Sequence, residues 1–112
     1  MRVAIIGSRE IDNIGEQDVI KYIPKGCSEI VSGGAIGIDT VAESVANMLN
    51  LPTKIIKPDY HKFGKSAPIK RNREIIDYSD YVLAFWNFKS KGTSNVILTC
   101  IKLGKPFKII KI

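Results

Sequence analysis

The sequence predicts an α/β fold built on a five-stranded parallel sheet, because short apolar runs alternate strictly with segments whose apolar residues recur at helical spacing. The first of these runs is continuous rather than alternating, which is typical of a strand buried on both faces by helices. Right-handed crossovers then give a Rossmann-like three-layer sandwich with strand order 3-2-1-4-5 and helices on both faces. In such a sheet, ligands bind beyond the carboxyl ends of strands one and four, where the order reverses.

The N-terminal half is predicted to hold three strands and two helices. Arg2–Ile6 is the continuous apolar run, and the turn Gly7-Ser8-Arg9 closes it. Asp12 or Asn13 is expected to cap the first helix, and Pro24 to stop it. The predicted bounds are about Glu16 to Ile23 for that helix, Ser28 to Ser32 for strand two, Asp39 or Thr40 to Asn50 for helix two, and Thr53 to Lys57 for strand three.

The C-terminal half is predicted to hold two strands and two helices joined by polar loops. Pro68 suits the first turn of a helix, and Gly104-Lys105-Pro106 stops the last one. The predicted bounds are Pro58 to Ser66 for a loop, Pro68 to Tyr78 for helix three, Tyr81 to Trp86 for strand four, Asn87 to Gly92 for a loop, Thr93 to Leu103 for helix four, and Phe107 to Lys111 for strand five.

Length and composition predict one globular domain over residues 1–112. Hydrophobic residues make up 45% and charged residues 25% of the 112 residues, the balance of a folded chain rather than a disordered tail. Cys27 and Cys100 lie far apart without metal-ligand spacing, so we expect no disulfide framework, no metal and no cofactor. The first apolar run is too short for a signal peptide or a membrane span, and these features together predict a cytoplasmic protein without a membrane partner.

The charge balance permits a polyanionic partner. The formal net charge is +6 and the pI is near 9.4, but the 17 lysines and arginines are spread along the chain. The densest basic stretch runs from Lys57 to Arg73, whereas the lysines near the C-terminus are expected to be solubilising surface charges.

The turn from Ser32 to Asp39 is the most informative stretch of the chain. It places three glycines between a strand and a helix, where free backbone N–H groups and the helix dipole favour an anion such as phosphate. Alternatively, these glycines only allow positive φ and close helix packing. In the predicted sheet this turn meets Gly7-Ser8-Arg9 and the Trp86 to Thr93 loop in one crevice, which favours phosphate binding.

Four motifs resemble the SLOG superfamily in register: Gly7-Ser8-Arg9, Ser32 to Asp39 followed by Ala42, Arg71-Asn72-Arg73, and Ser90 to Thr93. That superfamily includes the DNA-processing protein A (Smf) domain, the LOG lysine-decarboxylase-like phosphoribohydrolases, and small stand-alone members related to YpsA and YspA, which this chain resembles most. The resemblance covers nearly the whole chain. It implies a sensor or binding module for a nucleotide or nucleotide-derived small molecule, and a homodimer.

The LOG enzymes imply one alternative, cleavage of the N-glycosidic bond of a nucleoside monophosphate. By resemblance, Arg71 falls on their active-site arginine and Gly92-Thr93 on their phosphate-binding turn. Val96, however, replaces the family glutamate, and a valine cannot transfer a proton. Whether the chain is an enzyme therefore stays open, with Arg71, Asp39 and Glu74 as the catalytic candidates.

DNA-processing protein A implies the other alternative, binding of single-stranded DNA. Gly37-Ile38-Asp39 and Arg71 to Ile76 resemble its motifs, and its basic pocket binds a single strand. Exposed aromatic rings beside a basic groove would be needed for stacking, and Tyr60, Phe63, Trp86 and Phe88 are the candidates.

The predicted ligand-binding residues come from the three turns and the helix that faces them. They are Gly7, Ser8, Arg9, Ser32, Gly33, Gly34, Ala35, Gly37, Asp39, Arg71, Asn72, Trp86, Ser90, Gly92 and Thr93. Arg9 and Arg71 are expected to clamp a phosphate or a ribose, and Asp39 to cap its helix rather than catalyse. Trp86 either stacks on a base or ends the core strand, Arg73 faces either ligand or solvent, and the lone His61 is expected to have no chemical role.

Overall fold

The computed structural model describes residues 1–11 and 13–112, and within them it contains five strands, five α-helices and one short 3-10 helix. The strands are β1 (Arg2–Gly7), β2 (Glu29–Ser32), β3 (Thr53–Ile55), β4 (Tyr81–Trp86) and β5 (Phe107–Lys111). The helices are α1 (Glu16–Ile20), α2 (Ile38–Met48), α3 (Tyr60–Phe63), α4 (Ala67–Tyr78) and α5 (Lys91–Leu103), and the 3-10 helix is Gly64–Ser66.

The strands form one parallel sheet in the order β3-β2-β1-β4-β5, which confirms the predicted fold class and strand order. β1 lies at the centre, where Ala4 is in register with Val31 of β2 and Val82 of β4. From β1 the chain adds β2 and β3 on one side of the sheet, and it then returns past β1 to add β4 and β5 on the other side. The connections therefore diverge at the carboxyl ends of β1 and β4 and leave an opening between them.

Both faces of the sheet are covered by helices. Because successive side chains of a strand point to opposite faces, β1 sends Val3 and Ile5 into one apolar cluster and Ala4 and Ile6 into the other. The first cluster includes residues of α1 and α2, and the second includes residues of α4 and α5. Burial on both faces explains why the Arg2–Ile6 run is continuously apolar.

The first helix is shorter than predicted and begins differently. It ends at Ile20 rather than Ile23, because the amides of Tyr22 and Ile23 bond to carbonyls three residues back and close turns instead of a further α-helical turn. Its N-cap is Gly15, whose amide donates to Asp18 Oδ2 at 2.9 Å, so the prediction that Asn13 caps it is wrong. The alternative cap, Asp12, lies outside the described residues.

The segment predicted as a loop from Pro58 to Ser66 contains α3 and the 3-10 helix. Asp59 caps α3, because its Oδ1 accepts a hydrogen bond from the Lys62 amide at 3.0 Å. This cap could have been predicted from the aspartate, but four residues are too few to show helical spacing of apolar side chains. Other bounds differ by one or two residues: β3 ends at Ile55, and α5 begins at Lys91 because Ser90 caps it.

Within residues 1–11 and 13–112, no helix combines the length and the hydrophobicity needed to cross a membrane.

Candidate functional site

A cavity of about 460 Å³ lies at the opening between the carboxyl ends of β1 and β4. We call it the switch-point cavity. Most of the predicted ligand-binding residues line it: Gly7, Ser8, Arg9, Gly33, Ala35, Asp39, Arg71, Asn72, Ser90, Gly92 and Thr93. Residues that were not predicted to bind a ligand also line it, namely Ile6, Glu10, Pro68, Ile75, Asn87 and Lys89. The fold thus brings the three turns and α4 to one place.

Four predicted ligand-binding residues do not line the switch-point cavity: Ser32, Gly34, Gly37 and Trp86. Ser32 is fully buried, and its Oγ accepts a hydrogen bond from the Gly34 amide at 3.3 Å. Gly37 has φ +80°, and a Cβ there would lie 2.5 Å from the carbonyl oxygen of Arg9. Ser32 and Gly37 therefore stabilise the turn rather than contact a ligand, which agrees with the alternative that the glycines allow positive φ and close helix packing.

Ser8 joins the carboxyl ends of the two central strands. Its amide donates to the Phe85 carbonyl at 3.1 Å, and its Oγ accepts from the Asn87 amide at 3.3 Å. The side chain is almost fully buried at the cavity. These hydrogen bonds fix the distance between the turn after β1, which contains Ser8 (the β1 turn), and the turn after β4, which contains Asn87 (the β4 turn).

The Arg71 guanidinium is held on the wall of the switch-point cavity by two hydrogen bonds. Nη1 donates to the Gly33 carbonyl at 2.8 Å, and Nε donates to Asn72 Oδ1 at 3.1 Å. A Cβ at Gly33 would lie 2.6 Å from that Nη1, so glycine is needed for the guanidinium to lie against the turn. The arginine is therefore oriented before any ligand arrives, which reduces the entropy cost of binding.

Arg73, two residues further along α4, has a different environment. Its Nε forms an ion pair with Asp77 at 3.1 Å, both side chains are more than half exposed, and it does not line the switch-point cavity. The structure therefore places Arg73 toward solvent and Arg71 toward the cavity.

Asp39 is buried at the cavity but does not cap α2. Its Oδ2 accepts a hydrogen bond from the Ala35 amide at 3.0 Å, whereas the N-cap residue is Gly37. The predicted capping role is wrong because α2 begins at Ile38, and the carboxylate of the second helical residue bonds back to the glycine turn. Burial raises the pKa of Asp39, opposed by the Ala35 hydrogen bond and by the positive charge of Arg71.

We expect the stability of the protein to reflect this raised pKa. The native state holds the Asp39 proton more tightly than the unfolded chain does, so the contribution of Asp39 to stability falls as pH rises from its usual value near 3.8 through the native pKa. Asp39→Asn removes the titration and keeps an oxygen for the Ala35 amide. In urea unfolding at a series of pH values, the stability of Asp39→Asn relative to wild type should increase through that window and then level off. A difference that shrinks as pH rises would contradict the assignment.

The turn between β4 and α5 is organised by Asn87. Its Oδ1 accepts hydrogen bonds from the amides of Lys89 and Ser90 at 2.8 and 2.9 Å. Ser90 Oγ then accepts from the Thr93 amide at 3.3 Å and caps α5. Sequence reasoning placed this loop at the cavity but missed Asn87, whose type and position just after a strand are a known signal for such a turn.

Gly92 differs from the glycines that packing requires. A Cβ there would meet only Ser90 Oγ, at 4.0 Å, and the backbone of Gly92 lies outside the left-handed region. Gly92 is exposed in the first turn of α5, a helix of 13 residues. The absence of a side chain here leaves room for a ligand to approach the amides at the N-terminus of the helix.

The remaining sequence candidates lie outside the switch-point cavity. Glu74 is exposed and does not line it, so the lining carboxylates are those of Asp39 and Glu10. Val96 is fully buried in the apolar cluster between the sheet, α4 and α5. His61 is exposed on α3. In the described part of the chain, no three His, Cys, Asp or Glu residues are grouped so that they could hold a metal ion.

The fold and the site together define a Rossmann-like α/β protein with a cavity at the switch point, lined by three turns and two arginines. The chain belongs to the DNA recombination-mediator protein A family, whose family model matches residues 1–59. This confirms the resemblance to DNA-processing protein A inferred from the motifs. A comparison with curated proteins gives no significant match.

Two solved structures are similar over almost the whole chain. DNA processing protein A from Helicobacter pylori has a TM-score of 0.77 at 25% identity, covering 97% of this chain and 64% of that one. DNA processing protein A from Streptococcus pneumoniae has a TM-score of 0.81 at 21% identity, covering 99% of this chain and 50% of that one. This chain therefore spans less than two thirds of either protein. The H. pylori structure is described as showing a unique single-stranded DNA binding mode.

Proposed function

We propose that this protein binds single-stranded DNA and holds a backbone phosphate in the switch-point cavity. The observation that carries the proposal is the Arg71 guanidinium, which the Gly33 carbonyl holds on the cavity wall at 2.8 Å. A charge-assisted, forked contact to phosphate is the interaction for which an oriented arginine is best suited. The family of the chain and the single-stranded DNA binding described for the H. pylori relative support this choice of ligand.

The N-terminus of α5 supplies the second half of the proposed phosphate site. Ser90 Oγ accepts a hydrogen bond from the Thr93 amide. The amides of Lys91 and Gly92 lie before Thr93 in the same first turn of α5 and have no partner within the helix. The positive end of the helix dipole lies there, and Gly92 presents no side chain in the way. Arg71 and the helix terminus therefore approach the cavity from two elements, so that one phosphate can be held between them.

Charge around the switch-point cavity favours a strand over a neutral ligand. Its lining cations, Arg9, Arg71 and Lys89, outnumber its lining carboxylates, Glu10 and Asp39. Arg9 and Lys89 are exposed, and so is Lys91 at the start of α5. The formal net charge of the chain is +6. Neighbouring phosphates of a bound strand would meet these side chains, which adds affinity without reading the base sequence.

Salt dependence tests this electrostatic contribution. If about three phosphates are neutralised, the logarithm of the association constant for an oligo(dT) should fall with the logarithm of salt concentration at a slope of about −2. Fluorescence anisotropy of a labelled oligomer between low and moderate salt measures it. Binding that does not change with salt, or that is too weak to detect even at low salt, would contradict the proposal.

A free nucleotide is the second candidate ligand, because a cavity of about 460 Å³ suits a small molecule. A thermal-shift series with nucleoside mono-, di- and triphosphates, beside an oligo(dT), separates the two candidates. Stabilisation by one nucleotide at concentrations where the oligomer has no effect would favour the sensor hypothesis. The homodimer implied by the resemblance and the cytoplasmic location expected from the sequence stay predictions.

A further inference from the structure

The turn after β4 contains one aromatic residue in an unfavourable backbone conformation. Phe88 has φ +64°, in the left-handed region that residues other than glycine rarely adopt. It lies between Asn87 and Lys89, which both line the switch-point cavity. Its side chain is nevertheless 55% exposed, so little burial offsets the backbone strain.

Contacts within the turn hold the Phe88 ring in place. Asn87 Oδ1 accepts hydrogen bonds from the two backbone amides that follow Phe88. The Phe88 ring stacks on the Trp86 ring, with centroids 4.5 Å apart and an interplanar angle of 28°. Trp86 is itself fixed, because its Nε1 donates to the Ser90 carbonyl at 3.0 Å. Two stacked rings are therefore attached to the same turn that begins α5.

Packing alone does not explain this arrangement. A residue that only closed the turn would be glycine or asparagine, which adopt positive φ with less strain. Strain that the surrounding structure maintains at the edge of a site is a reason to look for a function. The strained backbone presents a half-exposed ring in the turn whose residues Asn87 and Lys89 line the switch-point cavity, although the ring itself does not line it.

The charge near the rings indicates the class of ligand. Lys111 Nζ lies 6.0 Å from the Phe88 ring centroid, and Lys89 and Lys91 are exposed on either side of Ser90. Aromatic rings beside lysines match a single strand, whose bases stack on the rings while its phosphates pair with the cations. We propose that Phe88, supported by Trp86, is a stacking platform for a base of the strand whose phosphate occupies the switch-point cavity. This inference rests on the proposed function.

Two probes and one spectroscopic signal test the platform. The probes are oligo(dT) and an abasic sugar-phosphate oligomer of the same length, which keeps the phosphates and lacks the bases. Trp86 is the only tryptophan in the chain, so its fluorescence reports on this turn. We expect oligo(dT) to change the fluorescence more than the abasic oligomer does, because only the former stacks.

Phe88→Gly removes the ring and relieves the positive φ, and Phe88→Leu keeps an apolar side chain without an aromatic face. Both should weaken oligo(dT) binding by roughly 5- to 100-fold and leave binding of the abasic oligomer unchanged. Ile101→Ala, at an apolar residue 60% exposed on α5, is the matched control and should bind both probes as wild type does. Melting temperatures of all three variants verify that they fold.

The outcomes separate the platform from the proposed function. If both Phe88 variants bind oligo(dT) as tightly as wild type, while Arg71→Ala weakens both probes, the platform is overturned and phosphate binding stands. If wild-type protein binds neither probe at low salt, both are overturned. A loss with oligo(dT) alone supports the platform.

Discussion

Arg71→Ala is expected to weaken binding of a single-stranded oligo(dT) by about 10- to 100-fold, which corresponds to the loss of charge-assisted hydrogen bonds to one phosphate. The guanidinium already lies on the wall of the switch-point cavity, held at 2.8 Å from the Gly33 carbonyl. Arg71→Lys keeps the charge but loses the fork, so its affinity should fall between wild type and alanine. Anisotropy titrations at one fixed salt concentration measure all three.

Arg73→Ala is the matched control for this prediction. It removes the same charge from the same helix, two residues away, but Arg73 pairs with Asp77 at 3.1 Å and does not line the cavity. We expect a change of about threefold or less, because it removes only an exposed, screened charge. Equal losses in Arg71→Ala and Arg73→Ala would show that overall charge, and not the cavity, determines the affinity.

Gly37→Ala is expected to produce the largest loss of stability among variants of the glycines in the turns around the switch-point cavity, about 2–5 kcal/mol. Its φ is +80°, and the new Cβ would lie 2.5 Å and 2.7 Å from the carbonyl oxygens of Arg9 and Ser8. Backbone atoms on the neighbouring strand end cannot move without disturbing the β1 turn. Urea unfolding, read at the midpoint, measures the loss.

Gly64→Ala separates the steric effect from the conformational one. Gly64 also has positive φ, +54°, but a Cβ there would meet nothing within 4 Å. Only the conformational cost of about 1–2 kcal/mol is therefore expected. Similar midpoints for Gly37→Ala and Gly64→Ala would contradict the close packing of α2 against the β1 turn.

The elements that the sequence predicted best are those determined by burial in the core and by the order of strands and helices along the chain. β4 occupies Tyr81–Trp86 as predicted, because a strand buried on both faces must be apolar throughout. α3 was missed and α1 was too long, because both depend on single hydrogen bonds at caps and turns. The strand order followed from the alternation of elements and the handedness of crossovers, and it located the site.

Individual roles at the site were harder to predict. Arg71 and Gly92 were placed at the site by the resemblance of their motifs to the LOG enzymes and by their predicted position near the carboxyl ends of the strands, and both line the switch-point cavity. Asp39 was assigned the wrong hydrogen bond, because α2 has its N-cap at Gly37, two residues before Asp39, and the Asp39 carboxylate instead accepts from the Ala35 amide. The position of Trp86 outside the cavity depends on its bond to the Ser90 carbonyl, which no sequence pattern specifies.

Chemical-shift mapping tests most directly whether the switch-point cavity holds a backbone phosphate. In a titration of isotope-labelled protein with oligo(dT), we predict the largest amide perturbations at Gly33, Ala35, Lys91 and Gly92, together with a shift of the Arg71 side-chain Nε. Asp80 lies at the amino ends of the central strands, opposite the cavity, where its carboxylate accepts a hydrogen bond from the Arg2 amide at 2.7 Å, and the Asp80 amide signal should not shift. Perturbations concentrated around Arg2 and Asp80, with the cavity residues unchanged, would contradict the account.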